Sequence, residues 1–419
     1  MICYYYFIIK RVIMGKTIRT GILGFGKQGS HYARMFFEGR ICPELKLAAI
    51  ADTNPVRLQW AREHAPEGTL FFGSAEEMLS SGAIDAVIIT TPHGLHPRHA
   101  IMALQNGIHV MCDKPAGIYT GQVREMNAEA EKHPDTVFGI MFNQRTNCAY
   151  RKLREIVRNG TYGKVRRIDW TINSWFRSQL YYDSSDWRGV WKGASGGTIV
   201  DQCSHQLDLW QWIFGMPDKV TCRMGFGVHH DIEVEDEVAA ILEYGSGVMG
   251  VLNISTSVPN GTNVLQVHFD GANITVKGCS IYAEVFPQPV QDWEKQPHGL
   301  FDKPSAQPVC ELETDWENFQ HKGILQAWAS EILGTGRCVA DGREGIECVI
   351  LSEALYLSAF TGQTVCVPAD DKLYLAELSK RAGASKKKKT AADPLAPITE
   401  TFSVKDPKQI DAYFGIVVR

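Results

Sequence analysis

The stretch VDQCSHQLDLWQWIFG, residues 200–215, sets a carboxylate and an imidazole four positions apart, Asp201 and His205, with a second carboxylate at Asp208. On one helix, positions i and i+4 share a face about one turn apart, and Asp208 continues that stripe. Leu207, Trp210, Ile213 and Phe214 then fall toward the core side and leave the polar stripe to line a cleft. Imidazole, with a free pKa of about 6.5, is suited to accepting a proton near neutral pH. A third group, Lys114, follows the apolar run IHVMC in the triplet Asp113-Lys114-Pro115. An ammonium there would donate to an alcohol oxygen and stabilise charge developing on it. Oxidation of a secondary alcohol needs such a set, because a hydride leaves carbon while a proton leaves oxygen. His205 is the candidate base, Lys114 the candidate orienter, and Asp201 would hold another hydroxyl or fix the imidazole. The division of roles between Lys114 and His205 stays open, since the two can titrate as a coupled pair. Against this stands the structural alternative, a satisfied helix histidine and an ordinary surface lysine.

A hydride needs an acceptor, and the sequence supplies a place for one. Gly24-Phe25-Gly26-Lys27-Gln28-Gly29 sits between a strand-like run, TIRTGILGF, and a helical one, SHYARMFFEGR. In that order the first glycine permits a tight turn, the second lets backbone approach a pyrophosphate, and the third lets helix pack on strand. The next strand-like run, LKLAAIAD, ends in Asp52, followed by Thr53 and Arg57. A carboxylate at that point accepts from both ribose hydroxyls of NAD and repels the 2′-phosphate of NADP. Arg57 is a cation that could pair with such a phosphate. Further strand ends carry Thr91, Pro92, His93 and His96, then Asp113 and Lys114, then Asn143 and Arg145. In a doubly wound sheet these ends line the ligand crevice. Asn143 and Arg145 are expected near cofactor and substrate respectively.

These sites need two kinds of scaffold. Residues 16–142 alternate near-continuous apolar runs (LKLAAIAD, IDAVIITT, IHVMCDK, TVFGIMF) with helical segments, the pattern of a parallel sheet covered on both faces. An α/β Rossmann domain is predicted there. Residues 143–367 open with a helix and continue with period-two runs such as KVRRIDWTINSWF, EDEVAAILEY and NVLQVHFDGANITVKG, which predicts an α+β domain with a large, mostly antiparallel sheet. Two helices, around 322–334 and 344–361, are expected to close it. Residues 1–15 read as a disordered leader, with Met14 a plausible start, and 368–419 as a polar C-terminal extension in which the lysine run SKKKKT is a solvated loop. Two domains suit a chain of 419 residues.

The totals narrow the class. Lys and Arg number 43 against 47 Asp and Glu, so no global field favours a polyanion, and nucleic acid is excluded as an expected partner. The apolar run near the start is too short to span a bilayer. Eleven cysteines without paired spacing suggest neither a metal site nor a redox dithiol, and fit a reducing cytoplasm.

In these motifs and their order the sequence resembles the Gfo/Idh/MocA family of sugar and polyol dehydrogenases, over about residues 17–365. The order is the glycine turn, Asp52, Thr-Pro-x-x-x-His ending at His96, an acidic-Lys-Pro triplet, and Gly196-Gly197-x-x-x-Asp201-x-x-x-His205. The triplet here is Asp-Lys-Pro where Glu-Lys-Pro is usual. The resemblance implies that Lys114, Asp201 and His205 are the catalytic or substrate-orienting trio. It also implies that the second domain turns its sheet toward substrate and often toward a sister subunit, giving a homo-oligomer. The segment WFRSQLYYDSSDWRGVWKGASGG, residues 175–197, resembles the bacterial glycoside 3-oxidoreductase subgroup. There Trp175, Tyr181, Tyr182, Trp187 and Trp191 offer flat faces for a pyranose and its aglycone, although each alone could equally be a core residue. The expected activity is NAD-dependent oxidation of a ring hydroxyl, at C3 of a glycoside. An NAD-retaining glycosidase or eliminase, an inositol or polyol dehydrogenase, and a non-enzymatic NAD sensor on the same fold remain open as alternatives.

Overall fold

A computed structural model describes residues 17–185, 187–194, 196–386, 393 and 395–403. The expected leader lies outside the described residues, as does most of the lysine run. The described chain divides into two compact units, one built on residues 17–143 and one on 144–318.

In the first unit, strands β1 (Ile18–Leu23), β2 (Leu45–Ala51), β3 (Leu70–Phe72), β4 (Ala86–Ile89), β5 (His109–Cys112) and β6 (Phe138–Ile140) form one parallel sheet. Its order is β3-β2-β1-β4-β5-β6. Helices α1 (Lys27–Phe37), α2 (Pro55–His64), α3 (Ala75–Ser80), α4 (His96–Gln105) and α5 (Thr120–Lys132) alternate with the strands. Every residue of β4 is buried, which accounts for its unbroken apolar run. Local signals set the helix starts: the Asn54 side chain accepts from the Val56 and Arg57 amides, and Pro55 occupies the first turn of α2. β3 is three residues long and largely unburied, too short to announce itself by periodicity.

Two later segments return to this unit. The helix Gln320–Ile332, expected to close the second domain, buries Ile324, Leu325, Trp328 and Ala329 in the cluster that holds Ile22, Phe25 and Met111. The C-terminal extension is not uniformly polar loop. Its helix Ala396–Ser403 buries Ile398 completely and sets Phe402 against Trp60, ring centroids 4.7 Å apart. The unit therefore takes in 319–346 and the described part of the last segment, and is not bounded at residue 142.

In the second unit, β7 (Val165–Ile172), β8 (Lys219–Phe226), β9 (Glu235–Glu243), β10 (Met249–Ser255), β11 (Asn263–Phe269), β12 (Ala272–Lys277), β13 (Ser280–Val285), β14 (Cys310–Glu311) and β15 (Val365–Cys366) form a nine-stranded sheet. Its order is β14-β13-β12-β11-β7-β10-β9-β8-β15, antiparallel throughout except for the β7–β10 pair. Helices α6 (Cys148–Asn159), α7 (Gln179–Asp183), α8 (Trp191–Ala194), α9 (Thr198–Asp201) and α10 (Ser204–Phe214) belong here, with the longer helices Gly345–Thr361 and Asp371–Ala384. One face of the sheet is apolar and buried, with Trp170, Ala240, Leu252, Val267 and Ile274. The other keeps Arg167, Ile241, Met249, Asn253 and Gln266 in solvent. That alternation is the period-two pattern seen in the sequence. Trp210 of α10 lies over the buried face, its ring stacked with Trp170 at 6.2 Å. Gly250 of β10 makes room for it, because a Cβ there would sit 2.3 Å from Trp210 Cζ2.

Arg145 and Asp208 differ from expectation. Both side chains are 1% exposed. Arg145 Nε donates to Asp208 Oδ2 at 2.8 Å and Nη2 to Oδ1 at 2.6 Å. Arg145 is therefore not a substrate ligand and Asp208 does not line a cleft; together they anchor α10 to the chain entering the unit. Removing one partner of such a pair strands a buried charge. Asp208→Ala is expected to lower stability by about 3–5 kcal/mol, seen as an earlier denaturant midpoint by tryptophan fluorescence. A loss under about 1 kcal/mol would show that the pair is not anchoring the helix.

Candidate active site

The glycine turn of the first unit has the shape that a dinucleotide demands. Gly24 takes φ +96°, and a Cβ there would lie 2.9 Å from the Thr90 carbonyl oxygen. A Cβ at Gly29 would lie 1.9 Å from the Gly24 carbonyl oxygen, so α1 packs against the turn only with glycine in place. At Gly26 nothing comes nearer than Arg57 Nη1 at 4.0 Å. The backbone is thus open beside the N-terminus of α1, where amides await an anion. Asp52, just past β2, accepts from the Phe25 amide at 2.6 Å and the Asn54 amide at 2.8 Å. Arg57 Nη1 lies 3.7 Å from the same carboxylate, and Thr53 beside it is exposed. These residues fit NAD. The Phe25 side chain is wholly buried, so it serves the core and only its backbone faces the turn. Lys27 pairs with Glu400 at 2.7 Å, and Gln28 Nε2 lies 3.4 Å from His321 Nε2.

The loops after β4 and β5 are cross-braced. His96 is 1% exposed, with Nε2 2.7 Å from the Thr91 carbonyl oxygen and Nδ1 2.8 Å from that of Pro115. It was expected to touch cofactor; instead its buried ring is wedged between a carbonyl oxygen of each strand-end loop, beside Lys114, and as a neutral imidazole it donates to one of them. Burial pushes its pKa down. Thr91 Oγ1 meets His99 Nδ1 at 3.0 Å, and buried His93 packs edge-on to His96, while Pro92 is exposed. Tyr32 donates to Asp113 Oδ1 at 3.4 Å. Lys114 itself is half-buried. Asn143 was also expected near cofactor, but it is 2% exposed and its Nδ2 donates to Gln320 Oε1 at 2.7 Å.

His321 was not foreseen. Burial, then the Lys114 charge, push its pKa down to about 4, so it stays neutral. No motif surrounds Gln320 or His321, and their helix was assigned to the other domain.

In the second unit Asp201 is the hub. Tyr181 donates to Asp201 Oδ2 at 2.6 Å, Gln202 Nε2 lies 3.1 Å from the same oxygen, and Arg188 Nε lies 3.9 Å away. Gln202 also donates to the Tyr181 hydroxyl at 2.8 Å. Arg188 stacks over Tyr181 at 4.8 Å and Trp187 at 4.7 Å, and Arg177 over Tyr181 at 5.0 Å. Burial, and then the Asp201 charge, push the Tyr181 hydroxyl above its ordinary pKa, which keeps it a donor. Arg188 and Gln202 were not anticipated, since a lone arginine in an aromatic run carries no periodic signal.

Asp201 and His205 do not share one helix. α9 ends at Asp201 and α10 begins at Ser204. The Cys203 amide reaches back to the Thr198 carbonyl at 2.8 Å, a widened turn that separates the two helices. His205 stands half-buried in the first turn of α10. Of the five expected sugar-stacking aromatics, Trp175, Tyr181 and Trp187 are part-exposed. Tyr182, 3% exposed, meets Thr256 Oγ1 at 2.9 Å. Trp191 packs between Phe226, Tyr356 and Phe360, with centroids 5.6–5.9 Å away. Those two are core residues.

Residues 18–140 match the profile of the oxidoreductase family with an NAD-binding Rossmann fold, and residues 150–275 that of the GFO/IDH/MocA C-terminal domain. The chain is similar to the D-glucoside 3-dehydrogenase of Escherichia coli, 24% identical over 85% of this chain and 99% of that protein. It is also similar to the scyllo-inositol 2-dehydrogenase (NADP(+)) of Bacillus subtilis, 27% identical over 60% of this chain and 66% of that protein. Among solved structures, the WlbA dehydrogenase from Bordetella pertussis, in complex with NADH and UDP-GlcNAcA, superposes with a TM-score of 0.69. It is 25% identical, over 85% of this chain and all of that one.

Since one such relative is named for NADP, the Asp52 carboxylate has a direct test. Asp52→Asn keeps an acceptor for the Phe25 amide and removes the charge. The preference for NAD over NADP, measured as the ratio of dissociation constants by fluorescence titration, is expected to fall ten- to a hundredfold, about 1.4–2.8 kcal/mol. An unchanged ratio would remove Asp52 from the cofactor site.

Proposed function

This chain belongs to the Gfo/Idh/MocA family of NAD-binding oxidoreductases, and we propose that it oxidises a secondary ring hydroxyl of a sugar, at C3 of a glycoside. The observation that carries this reading is the Asp201 cluster: a carboxylate ringed by Tyr181, Gln202 and Arg188, bordered by the part-exposed ring of Trp187, with His205 four residues on. Carboxylate, guanidinium and phenol present donors and acceptors to vicinal hydroxyls, and the rings suit the C–H face of a pyranose. The match to the glucoside 3-dehydrogenase along 99% of its length supports the position of oxidation.

Bound NAD would supply the acceptor for the hydride that leaves the substrate carbon. Asp52 would hold its ribose hydroxyls and the Gly26 backbone its pyrophosphate, with Lys27, Thr53, Arg57, Thr91, Pro92, His93 and Asp113 around them. In the reaction His205 accepts the hydroxyl proton. Lys114 donates to the same oxygen and steadies the negative charge that grows there as the proton leaves. Asp201 accepts from a neighbouring hydroxyl, and Trp175, Tyr181 and Trp187 fix the plane of the ring. We also propose that the open face of the nine-stranded sheet, with Ile241 and Met249 in solvent, is where copies of the chain associate. A cytoplasmic setting is supported by the cysteines, which are free thiols among the described residues. No described helix is long and apolar enough to cross a membrane.

Incubating the protein with NAD and glucosides, free sugars or inositols, and following NADH absorbance, tests the reading. Glucosides are expected to give steady reduction and a 3-keto product. His205→Ala is expected to lower kcat by about 10²–10⁴-fold. Glycosidic cleavage without net NADH would assign the chain to the NAD-retaining alternative, and turnover of inositols alone would move the substrate class.

A further inference from the structure

Outside the groups assigned above, Glu235 is a fully buried acid of the second unit whose partners lie in the turn that precedes Asp201. It opens β9, is fully buried, and accepts from the Ile199 amide at 2.8 Å, the Tyr356 hydroxyl at 2.8 Å and the Gly197 amide at 3.1 Å. The Gly197 amide is shared, lying 3.2 Å from the Tyr356 hydroxyl as well. The backbone of Glu235 joins in, its carbonyl accepting from Thr198 Oγ1 at 3.1 Å.

This network explains why two glycines stand at 196 and 197. A Cβ on Gly196 would lie 2.3 Å from the Tyr356 hydroxyl, and one on Gly197 would lie 2.3 Å from the Glu235 carbonyl oxygen. The turn has to press its backbone onto the Glu235–Tyr356 pair, and side chains would hold it off. From there the hydrogen bonds run directly to the chemistry. The peptide whose amide Glu235 holds belongs to the residue whose carbonyl accepts from the Asp201 amide at 2.9 Å. Thr198, pinned to the Glu235 carbonyl, takes the Cys203 amide at 2.8 Å, and the Cys203 carbonyl takes the Gln206 and Leu207 amides, each at 2.9 Å, which start the helix of His205. α9 is only four residues long and followed by a widened turn, so its own backbone bonds cannot set a direction.

We propose that Glu235, seated by Tyr356, is a positioning residue for the reaction: it fixes the Gly196–Gly197 turn and through it the orientation of Asp201 and His205. The proposal rests on the reading above only for the identity of the two groups it orients. Burial drives the Glu235 carboxyl up to about 7, against the opposing pull of the Ile199 amide and the Tyr356 hydroxyl. The groups that face it, Tyr356 and Tyr374 from the two long helices, Cys222 from β8 and Tyr182 from α7, are themselves raised by burial and remain neutral. Glu235 thus changes its own charge near pH 7 while those phenols and that thiol do not; the carboxyls of Asp236, Asp201 and Glu353 face the same phenols. Ionised, Glu235 accepts from all three donors; on taking up a proton near pH 7 one accepting oxygen becomes a donor, which the Tyr356 hydroxyl oxygen can take but the two amides cannot. The sign for stability is the opposite one. A carboxyl raised from 4.5 stabilises the fold below pH 4.5, and that contribution is lost as pH rises through about 7.

Glu235→Gln, nearly isosteric, tests the inference with two readouts. Amide hydrogen exchange at pH 8 should rise at least tenfold in residues 196–206 and stay unchanged in β11 and β12. On a sugar that the protein turns over, kcat should fall about 10–10²-fold, the cost of a misplacement near 1 Å, with KM for NAD unchanged. The acid limb of kcat, set in the parent by Glu235 and the base together, should lose one proton. Tyr356→Phe removes one of the three donors and should move both readouts the same way by less, and it decides the matter if Glu235→Gln does not fold. Parental exchange in 196–206, exchange raised evenly across the unit, or a parental acid limb would each overturn the proposal. If no sugar reduces NAD, the functional reading fails while the exchange measurement still decides this one.

Discussion

Backbone amides exposed by a glycine turn need an acceptor, and in both units of this protein the acceptor is a buried carboxylate at a strand terminus. Asp52, just beyond β2, takes the Phe25 amide between Gly24 and Gly26. Glu235, the first residue of β9, takes the amides of Gly197 and Ile199. In each case glycine is required by closeness: a Cβ would strike the Gly24 carbonyl in one turn and the Glu235 carbonyl in the other. The acid fixes the turn, and the turn fixes the start of a helix. In the first unit that helix start is the one proposed to face the cofactor; in the second it carries Asp201, with His205 in the helix that follows. The difference lies in solvent. Asp52 keeps some exposure and a guanidinium within 3.7 Å, whereas Glu235 is fully enclosed and faces phenols and a thiol.

The same stripe of polar residues that drew attention in the sequence divides into two fates. Spacing alone made Asp201, His205 and Asp208 equivalent, but spacing does not reveal what approaches from elsewhere in the chain. Arg145 meets Asp208, at a separation no local pattern encodes, and both leave solvent. A bidentate pair with both partners 1% exposed sets the rotation of α10 about its axis. Asp201, on the other side of a widened turn, meets a phenol and a guanidinium from the aromatic segment and keeps part of its surface. A helix kept straight through Gln202 and Cys203 would hold the two acids in a fixed relation. The break lets one acid anchor and the other remain available.

Where the sequence was legible, the reason is periodicity. β4 and β6 are buried throughout and apolar, β1, β2 and β5 end in such runs beyond the exposed Arg19 and Lys46 and the half-buried His109, and β9 to β12 alternate because one face is wet. The glycine turn was legible because its three glycines do three separate steric tasks. β3 was not, since three residues carry no period. The helix Gln320–Ile332 was recognised as a helix, yet its unit was misassigned: an amphipathic face says that something is buried, not against which core. Glu235 was illegible for a related reason. In EDEVAAILEY it occupies the end of an alternating run, where a glutamate usually faces water, and only the fold shows that amides and a phenol converge on it. Tyr182 and Trp191 looked like Tyr181 and Trp187 because aromatic residue type does not distinguish a core ring from one at a site wall.

The C-terminal segment shows the same limit from the other side. Read as a polar tail, it nonetheless delivers Ile398 and Phe402 to the first unit, and an exposed acid, Glu400, to Lys27. With Glu400 more than half exposed, that pair contributes at most about 1 kcal/mol and does not hold the helix in place. The buried isoleucine and the phenylalanine against Trp60 do that, at roughly 1.5–3 kcal/mol for each side chain fully withdrawn from water. The consequence for the nucleotide lies in charge. Glu400 partly cancels the one cation inside the glycine motif, so a pyrophosphate held there, as proposed, would rely mainly on the amides of the turn and of the first turn of α1.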